Sequence, residues 1–356
     1  IYMAKNALSA VGAFKRGRSA DEERMQLHVV LAQLEPNPEG SGRVDAAIPR
    51  LTALARRAAA KGADVIVFPE FYLTGTSHEA WENARTVLKG TLPHGSERPE
   101  WMDAVCRTAA EAGIAIVTGS AIEPGGFRHS GTHDREAGVR EADALFNTAY
   151  FIDCHGELLN AYTKRNLWHP ERDVLHGASH ETHPEAYQPP TFIFETRRGL
   201  RLRGAMLMCW DLVFPEAFRR MFYHNVRSGS SSLDHPGQTL GPDVVFAPTG
   251  WFSSDSGPEA LALNPRCEAS LLDAMCTARA MENECYVCMC NAAGTPDEGL
   301  GRSSVNAPIL GVCARLDAAQ EALLYCTLDL EVLILARRIY RVRHDMQAGM
   351  LDRLHP

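Results

Sequence analysis

Residues 48–70, IPRLTALARRAAAKGADVIVFPE, contain the alternation of elements that decides the fold. The first part predicts an amphipathic helix, because its leucines and alanines recur at helical spacing and Gly62 ends the run. The apolar letters VIVF then predict a buried strand that leads directly to Glu70. A helix followed by such a strand indicates an α/β protein.

Strands and helices continue to alternate on both sides of this stretch. Strands are predicted in residues 25–36, 114–123, 146–153, 157–164, 191–196, 200–209, 243–250, 285–294 and 322–330, and helices in 99–113, 211–224, 268–284 and 331–345. Residues 125–143 and 225–241 are polar or rich in Gly, Ser and Pro, so exposed loops are expected there. We predict one compact domain over residues 26–345, with an N-terminal extension in 1–25 and a C-terminal tail in 346–356.

Composition narrows the class of protein. The chain has 356 residues and a net charge of −8, so it lacks the excess of basic residues that is typical of nucleic-acid-binding proteins. No apolar run approaches the roughly 20 residues that cross a membrane. The first residues have no apolar core with a cleavage site, so no secretory signal is expected. Ten cysteines in a long chain of this kind indicate free thiols in a reducing, cytoplasmic setting.

Three short segments each end a predicted strand with a reactive side chain. VIVFPEF places Glu70, NAYTKRNLWHPER places Lys164, and GAMLMCWD places Cys209. A carboxylate, an amine and a thiol held together can cleave a carbon–nitrogen bond by nucleophilic attack. The thiol attacks, the carboxylate moves its proton, and the ammonium holds the developing oxyanion. We expect Cys209 to face a helix N-terminus, which would lower the pKa of its thiol.

Each of these residues also has an ordinary structural interpretation. Cys209 could be a buried packing cysteine, Glu70 an exposed loop acid, and Lys164 a solvated surface lysine. Glu171 lies seven residues beyond Lys164 and could orient that amine or the attacking water. It could equally form a plain salt bridge with Arg165 or Arg172.

Other kinds of site have little support in the sequence. Cys285, Cys288 and Cys290 lie on a predicted core strand, where Cys288 and Cys290 share one face, so we predict packing and no metal site. The histidines form no zinc-binding motif. The glycine patterns that bind dinucleotides or phosphates, and the G-x-S-x-G motif of serine hydrolases, are also absent. Nucleotide binding and serine-hydrolase chemistry therefore have no support in the sequence.

With these segments in this order, residues 26–345 resemble the nitrilase superfamily of carbon–nitrogen hydrolases. Glu70 matches the family's general base, Lys164 its lysine, Cys209 its nucleophile and Glu171 its supporting glutamate. The resemblance implies an αββα sandwich, paired as an αββα–αββα homodimer or in larger homo-oligomers. It also implies a small-molecule substrate and no metal or organic cofactor.

The resemblance leaves the substrate open. Trp210 follows the nucleophile as in nitrilases, whereas Asp211 is typical of amidases. We let Asp211 decide and predict hydrolysis of a small amide or N-carbamoyl compound, with a nitrile as the alternative. The backbone N–H of Trp210 is expected to help hold the oxyanion. Tyr72, Trp210 and Trp251 are expected to wall the pocket. Acyl transfer to an amine, or a non-catalytic binding protein, are alternatives of another class.

Overall fold

The computed structural model describes residues 25–37, 43–89, 100–124, 144–178, 191–227, 241–295 and 299–348. The strands are β1 Gln26–Gln33, β2 Val65–Val67, β3 Ala115–Pro124, β4 Leu145–Ile152, β5 Leu158–Thr163, β6 Phe192–Glu195, β7 Arg201–Met206, β8 Val244–Thr249, β9 Tyr286–Asn291, β10 Ser304–Ala307, β11 Gly311–Arg315 and β12 Ala322–Asp329. The α-helices are α1 Val44–Ala59, α2 His78–Lys89, α3 Glu100–Ala112, α4 Pro215–Arg227, α5 Gly257–Leu263, α6 Cys267–Asn283, α7 Glu331–Ile339 and α8 Val342–Gln347. Two short 3₁₀ helices span His169–Asp173 and Cys209–Val213.

The strands form two six-stranded sheets with the same pattern of directions. The first has the order β12-β1-β2-β3-β4-β5, and the second has the order β11-β10-β9-β8-β7-β6. β1, β2 and β3 are parallel in the first sheet, as β7, β8 and β9 are in the second, and the outer strands pair antiparallel. Parallel strands are buried on both faces, which explains their continuous apolar runs.

The two sheets pack face to face around one core. Along β1, Val29 and Leu31 belong to the cluster between the sheets, whereas the alternate residues Val30 and Ala32 belong to the cluster under the helices. This division follows from the two-residue period of a strand. The ring centroids of Phe151 on the first sheet and Phe246 on the second are 5.6 Å apart. Apolar burial between the sheets therefore holds the two halves together.

Helices cover the outer face of each sheet. Leu51 and Ala55 of α1 and Val105 of α3 are buried against the first sheet, while Leu272 and Cys276 of α6 are buried on the other side, where α6 packs on β9, β10 and β11. The predicted αββα sandwich is confirmed. The homodimer that the resemblance implied stays a prediction.

Two predicted helices differ from the structure. The helix expected over 211–224 is divided, because Pro215 has no N–H and restrains Phe214 to the extended conformation (φ −98°, ψ 106°). The helix expected over 331–345 is divided at Arg341, which has a φ of 57°. The second part, α8, runs to Gln347 and so crosses the predicted domain boundary at 345.

Four predictions lie mainly outside the described residues. The N-terminal extension at 1–25 is described only at Met25, and the C-terminal tail at 346–356 only at 346–348. The exposed loop at 125–143 is not described, and the loop at 225–241 is described only at 225–227, the last turn of α4, and at Gly241. All ten cysteines are free thiols. Among the helices in the described ranges, none combines the length and the apolar character that a membrane crossing requires.

Candidate active site

The three reactive residues predicted from the sequence follow three strands that end at the same side of the sandwich. Lys164 comes directly after β5, and Glu70 comes three residues after β2, both in the first sheet. Cys209 comes three residues after β7, in the second sheet. The structure brings all three side chains together, with a fourth, Glu171, beside them. None of the four is exposed, so the surface interpretations of Glu70 and Lys164 are wrong.

Lys164 is the centre of a buried ionic cluster. Its Nζ donates one hydrogen bond of 2.7 Å to Oε1 of Glu70 and another of 2.7 Å to Oε1 of Glu171. Burial alone would lower the pKa of the Lys164 ammonium, but the carboxylates around it raise that pKa well above its usual range. Lys164 is therefore a permanent cation.

Glu70 is held on both carboxylate oxygens. Besides Lys164, Nδ2 of Asn147 donates to Oε1 at 2.9 Å, and the backbone N–H of Gly250 donates to Oε2 at 2.9 Å. Burial raises the pKa of Glu70 to about 7, against the opposing effect of Lys164 and with support from the negative charge of Glu171. A hydrogen bond with Cys209 also acts on this pKa and lowers it. A carboxyl group with a pKa near neutrality is suited to take up and return a proton.

The Cys209 thiol is buried against this carboxylate. Its backbone has a φ of 44°, which turns the chain sharply from β7 into the 3₁₀ helix. Burial and the charge of Glu70 raise the pKa of the thiol well above its ordinary value, although Lys164 opposes them. The expectation that a helix N-terminus lowers this pKa is wrong, because the helix has only five residues and desolvation dominates. The thiol is neutral at rest and needs a base.

Asp211 fixes the turn that carries Cys209. Its Oδ2 accepts hydrogen bonds from Met208 N at 3.0 Å and from the Tyr162 hydroxyl at 2.6 Å. Its Oδ1 accepts two more, from the backbone N–H (3.1 Å) and the side-chain Nδ2 (2.8 Å) of Asn166. Tyr162 and Asn166 flank Lys164 in the sequence. Asp211 therefore ties the turn that carries Cys209 to the segment that carries Lys164.

Glu171 belongs to the second 3₁₀ turn of the site, His169–Asp173. Its Oε1 accepts from Lys164, and its Oε2 accepts from the backbone N–H of Trp168 at 2.7 Å. Arg172 donates instead to the carbonyl of Leu167. Glu171 therefore forms its ion pair with Lys164. This agrees with the interpretation of the sequence in which Glu171 orients that amine.

A cavity of about 390 Å³ opens above Cys209. Its wall includes Lys164 and Glu171 at the reactive end and four tryptophans, namely Trp81, Trp168, Trp210 and Trp251. The ring of Trp210 lies 4.3 Å from that of Trp168 and 5.4 Å from that of Trp251, measured between centroids. This volume and apolar lining fit a small molecule.

One residue predicted to wall the pocket does not reach it. Tyr72 is buried on the helix side of the first sheet, where its ring lies 4.9 Å from that of Phe68. Phe71 lines the cavity instead. Phe71 has a φ of 58°, which turns the chain after Glu70. The side chains of Phe71 and Tyr72 therefore point to opposite sides of the sheet.

Comparison with known proteins identifies the family of the chain. The pattern of the family described as "Carbon-nitrogen hydrolase" matches residues 29–229 and 268–338. The chain belongs to this family. In this carbon–nitrogen hydrolase, both matched ranges contribute to the site, since Glu70, Lys164 and Cys209 lie in the first and Glu268 of the cavity wall lies in the second.

Individual relatives are distant. The chain is 25% identical over 275 residues to the 2-oxoglutaramate amidase of Bacillus subtilis, covering 76% of this chain and 80% of that protein. It is 24% identical over 308 residues to a nitrilase of Pseudomonas syringae, covering 83% and 80% of the two chains. The crystal structure of a carbon-nitrogen hydrolase from Helicobacter pylori superposes with a TM-score of 0.63 at 15% identity, over 93% of this chain and 99% of that one. That likeness supports the fold.

Several site residues escaped prediction from the sequence, among them Trp81, Trp168 and the four that follow. Asn147 and Gly250 bind Glu70, and Asp255 and Glu268 line the cavity. Asn147 lies within the apolar run of β4, where a fully buried amide was a usable signal. Gly250 and Asp255 follow β8, and Glu268 lies in the first turn of α6. Polar residues and glycine are ordinary at such positions, so nothing in the local sequence marks these three as site residues. Within the described ranges, no group of three or more His, Cys, Asp or Glu side chains is arranged to hold a metal ion.

Proposed function

We propose that this carbon–nitrogen hydrolase cleaves small amides or N-carbamoyl compounds through a thioester on Cys209 and releases an acid and ammonia or an amine. The observation that carries the proposal is the contact of the buried Cys209 thiol with Glu70, whose other partners are Lys164, Asn147 and Gly250. A neutral thiol beside a carboxylate with a pKa of about 7 favours attack assisted by a general base over a preformed thiolate.

In the first half of the reaction, Glu70 takes the proton of the Cys209 thiol while sulfur bonds to the carbonyl carbon. The carbonyl π electrons move to oxygen and give a tetrahedral oxyanion. Glu70 then returns its proton to the nitrogen of the substrate, the carbon–nitrogen bond breaks, and ammonia or an amine leaves. A thioester remains on Cys209.

In the second half, water replaces the amine. Glu70 takes a proton from the water as its oxygen bonds to the thioester carbon. Collapse of the second oxyanion breaks the carbon–sulfur bond, and Glu70 returns the proton to the sulfur of Cys209. The products are the free acid and the resting enzyme.

Two donors are available for the oxyanion. An ammonium group has three N–H donors, and Glu70 and Glu171 take two of those of Lys164, which leaves one. The backbone N–H of Trp210 lies at the start of the 3₁₀ helix, where N–H groups have no intrahelical partner. Each donor is worth on the order of 3 kcal/mol in the transition state.

The choice between an amide and a nitrile as substrate depends on the chemistry of the substrate, because relatives of both kinds exist. Relatives of both kinds are known, an amidase from Bacillus subtilis and a nitrilase from Pseudomonas syringae. We favour the amide because its carbonyl oxygen reaches the site ready for Lys164 and its nitrogen needs one proton to leave. Asp211, which suggested amidases in the sequence, is fully buried and outside the cavity wall, so it acts on the substrate only through the turn that it holds.

The test is to trap the intermediate. Protein mixed with an amide and quenched in acid should gain the mass of the acyl group on the peptide that contains Cys209, and the acid should accumulate in solution. Cys209→Ala should lose both signals. Cys276→Ala, which removes another fully buried thiol away from the cavity, is the control and should keep both.

Three results would change the proposal. Full turnover in Cys209→Ala would remove the nucleophile. A consistently higher kcat/KM for nitriles than for amides of the same carbon skeleton would make the protein a nitrilase. A larger yield of N-acyl product than of acid when an amine is added would make it an acyltransferase.

A further inference from the structure

Two acidic side chains line the cavity without taking part in the proposed chemistry. Glu268, in the first turn of α6, is 6% exposed, and Asp255 lies in the turn before α5. Oε2 of Glu268 accepts a hydrogen bond of 2.5 Å from Nε1 of Trp251, and Oδ2 of Asp255 accepts one of 2.8 Å from the backbone N–H of Phe252. Among the described residues, no donor reaches the second oxygen of either carboxylate.

Among the described residues of the cavity wall, the negative charges outnumber the positive ones. Lys164 is already matched by Glu70 and Glu171, which both bind its Nζ. The other titratable nitrogen in the described part of the cavity wall is the imidazole of His78, which lies at the exposed rim beside Trp81. Asp255 and Glu268 thus have no cationic partner in the described ranges, and the charge of Glu268 contributes to a raised pKa of Asp255, after burial as the main cause.

A buried carboxylate without a counter-ion is costly, and a bound cation would remove that cost. The wall around the two acids is aromatic, with Trp251, Trp210 and Phe252 among its members. Aromatic faces attract ammonium groups, more strongly when water is excluded. Carboxylates and tryptophans together form a site for an organic cation, and they disfavour an anionic substrate.

We infer that the cavity selects small amides that carry a cationic group, such as a protonated amine or a quaternary ammonium, with Asp255 and Glu268 as the residues that determine this specificity. The inference rests on the proposed function, because it names the substrate class of the same site. Lys164 cannot hold an anionic substrate group and the oxyanion at the same time, since two of its three donors are taken.

A matched series of amides tests the inference. γ-Aminobutyramide carries an ammonium, valeramide has a methyl group in its place, and glutaramate has a carboxylate there. At about pH 8 the ammonium is charged and carboxyl groups are ionised. We expect kcat/KM to be about tenfold higher for γ-aminobutyramide than for valeramide, which equals about 1.4 kcal/mol, and lowest for glutaramate.

Three variants locate the effect. Asp255→Asn and Glu268→Gln each remove one charge while keeping the shape of the side chain, and each should reduce the ratio of the two kcat/KM values by at least about threefold. Glu259→Gln removes the same charge from an exposed position of α5 outside the cavity wall and should keep the wild-type ratio. Equal kcat/KM values for the three amides, a preference for glutaramate, or an unchanged ratio in both cavity variants would overturn the inference.

Binding separates this inference from the proposed function. Calorimetric titration of Cys209→Ala with γ-aminobutyramide and valeramide measures selection by the cavity without any turnover. Tighter binding of γ-aminobutyramide, with no hydrolysis of any amide by the wild type, would reject the amidase proposal and leave the cationic selectivity. Hydrolysis of valeramide with no advantage for the cation in binding or turnover would keep the proposal and reject the selectivity.

Discussion

Glu70 shows how burial sets the chemistry of a single residue. Its carboxylate is fully enclosed, so desolvation raises its pKa, while Lys164 restrains the rise and leaves the value at about 7. The same enclosure raises the pKa of the Cys209 thiol. The proposed mechanism passes one proton between these two groups, so its reactive form has Glu70 ionised and Cys209 protonated.

This assignment fixes the direction of the pH dependence. The free enzyme is active when Glu70 is ionised, so kcat/KM for valeramide should fall about tenfold per pH unit below about pH 7 and level off above it. The measurement is kcat/KM from about pH 5 to about pH 9. Asp255, with a pKa raised to about 6 by burial, titrates nearby, so Asp255→Asn is the control and should keep the inflection at about 7. A rise that begins only well above neutrality would mean that ionisation of Cys209 controls the rate.

At the scale of elements, the site depends on how tightly the turn after β2 packs on β3. Gly119 lies in an irregular part of β3, where the pairing with β4 shifts register, and has a φ of +75°. A Cβ on Gly119 would overlap the carbonyl oxygen of Pro69 and lie 2.9 Å from Cβ of Tyr72. The turn that carries Glu70 can therefore approach β3 only because this residue has no side chain.

Gly119→Ala should consequently damage both stability and catalysis. The left-handed backbone alone costs roughly 1–2 kcal/mol for a residue with a side chain. The clash with the backbone of Pro69 adds to this cost and moves Glu70. Gly62→Ala is the matched control, because its φ is +81° and a Cβ there meets nothing within 4 Å. The urea midpoint should fall in both variants, and further in Gly119→Ala because of the clash, whereas kcat should fall only in Gly119→Ala. Equal kcat values in the two variants would show that the turn adapts.

How far the sequence could predict these elements depends on how many apolar letters each contains. β2 was predicted from its unbroken apolar run, VIV, and β5 and β7 from apolar letters that polar residues interrupt, in LLNAYT and RLRGAM. These three strands lead to Glu70, Lys164 and Cys209. β10 and β11 were missed because they are short and their letters, SVNA and GVCAR, are polar or only partly buried. The contact of Asn147 with Glu70 joins residues 77 positions apart and depends on the register of β4, for which the sequence has no local signal.

At the scale of the whole molecule, the C-terminal segment closes the layer behind the second sheet. Arg343 of α8 is fully buried, donating from Nε to the carbonyl of Asn283 at 3.0 Å and from Nη2 to that of Pro242 at 2.5 Å. The Glu284 carboxylate accepts in return from the backbone N–H groups of Val342 and Arg343. One side chain thus joins α8 to the end of α6 and to the start of β8, the strand that leads to Gly250 and Trp251.

Burial lowers the pKa of Arg343 to about 9, so the guanidinium is still charged at neutral pH. Arg343→Met keeps the length of the side chain but leaves the buried carbonyls of Asn283 and Pro242 without their donor. Each such loss costs about 1–3 kcal/mol, so we expect a loss of about 3 kcal/mol or more in the free energy of unfolding, measured in urea. Arg338→Met, at an exposed position of α7, should stay within about 0.5 kcal/mol of the wild type. If the two variants unfold at the same urea concentration, α8 is held by its apolar contacts and Arg343 does not join the layers.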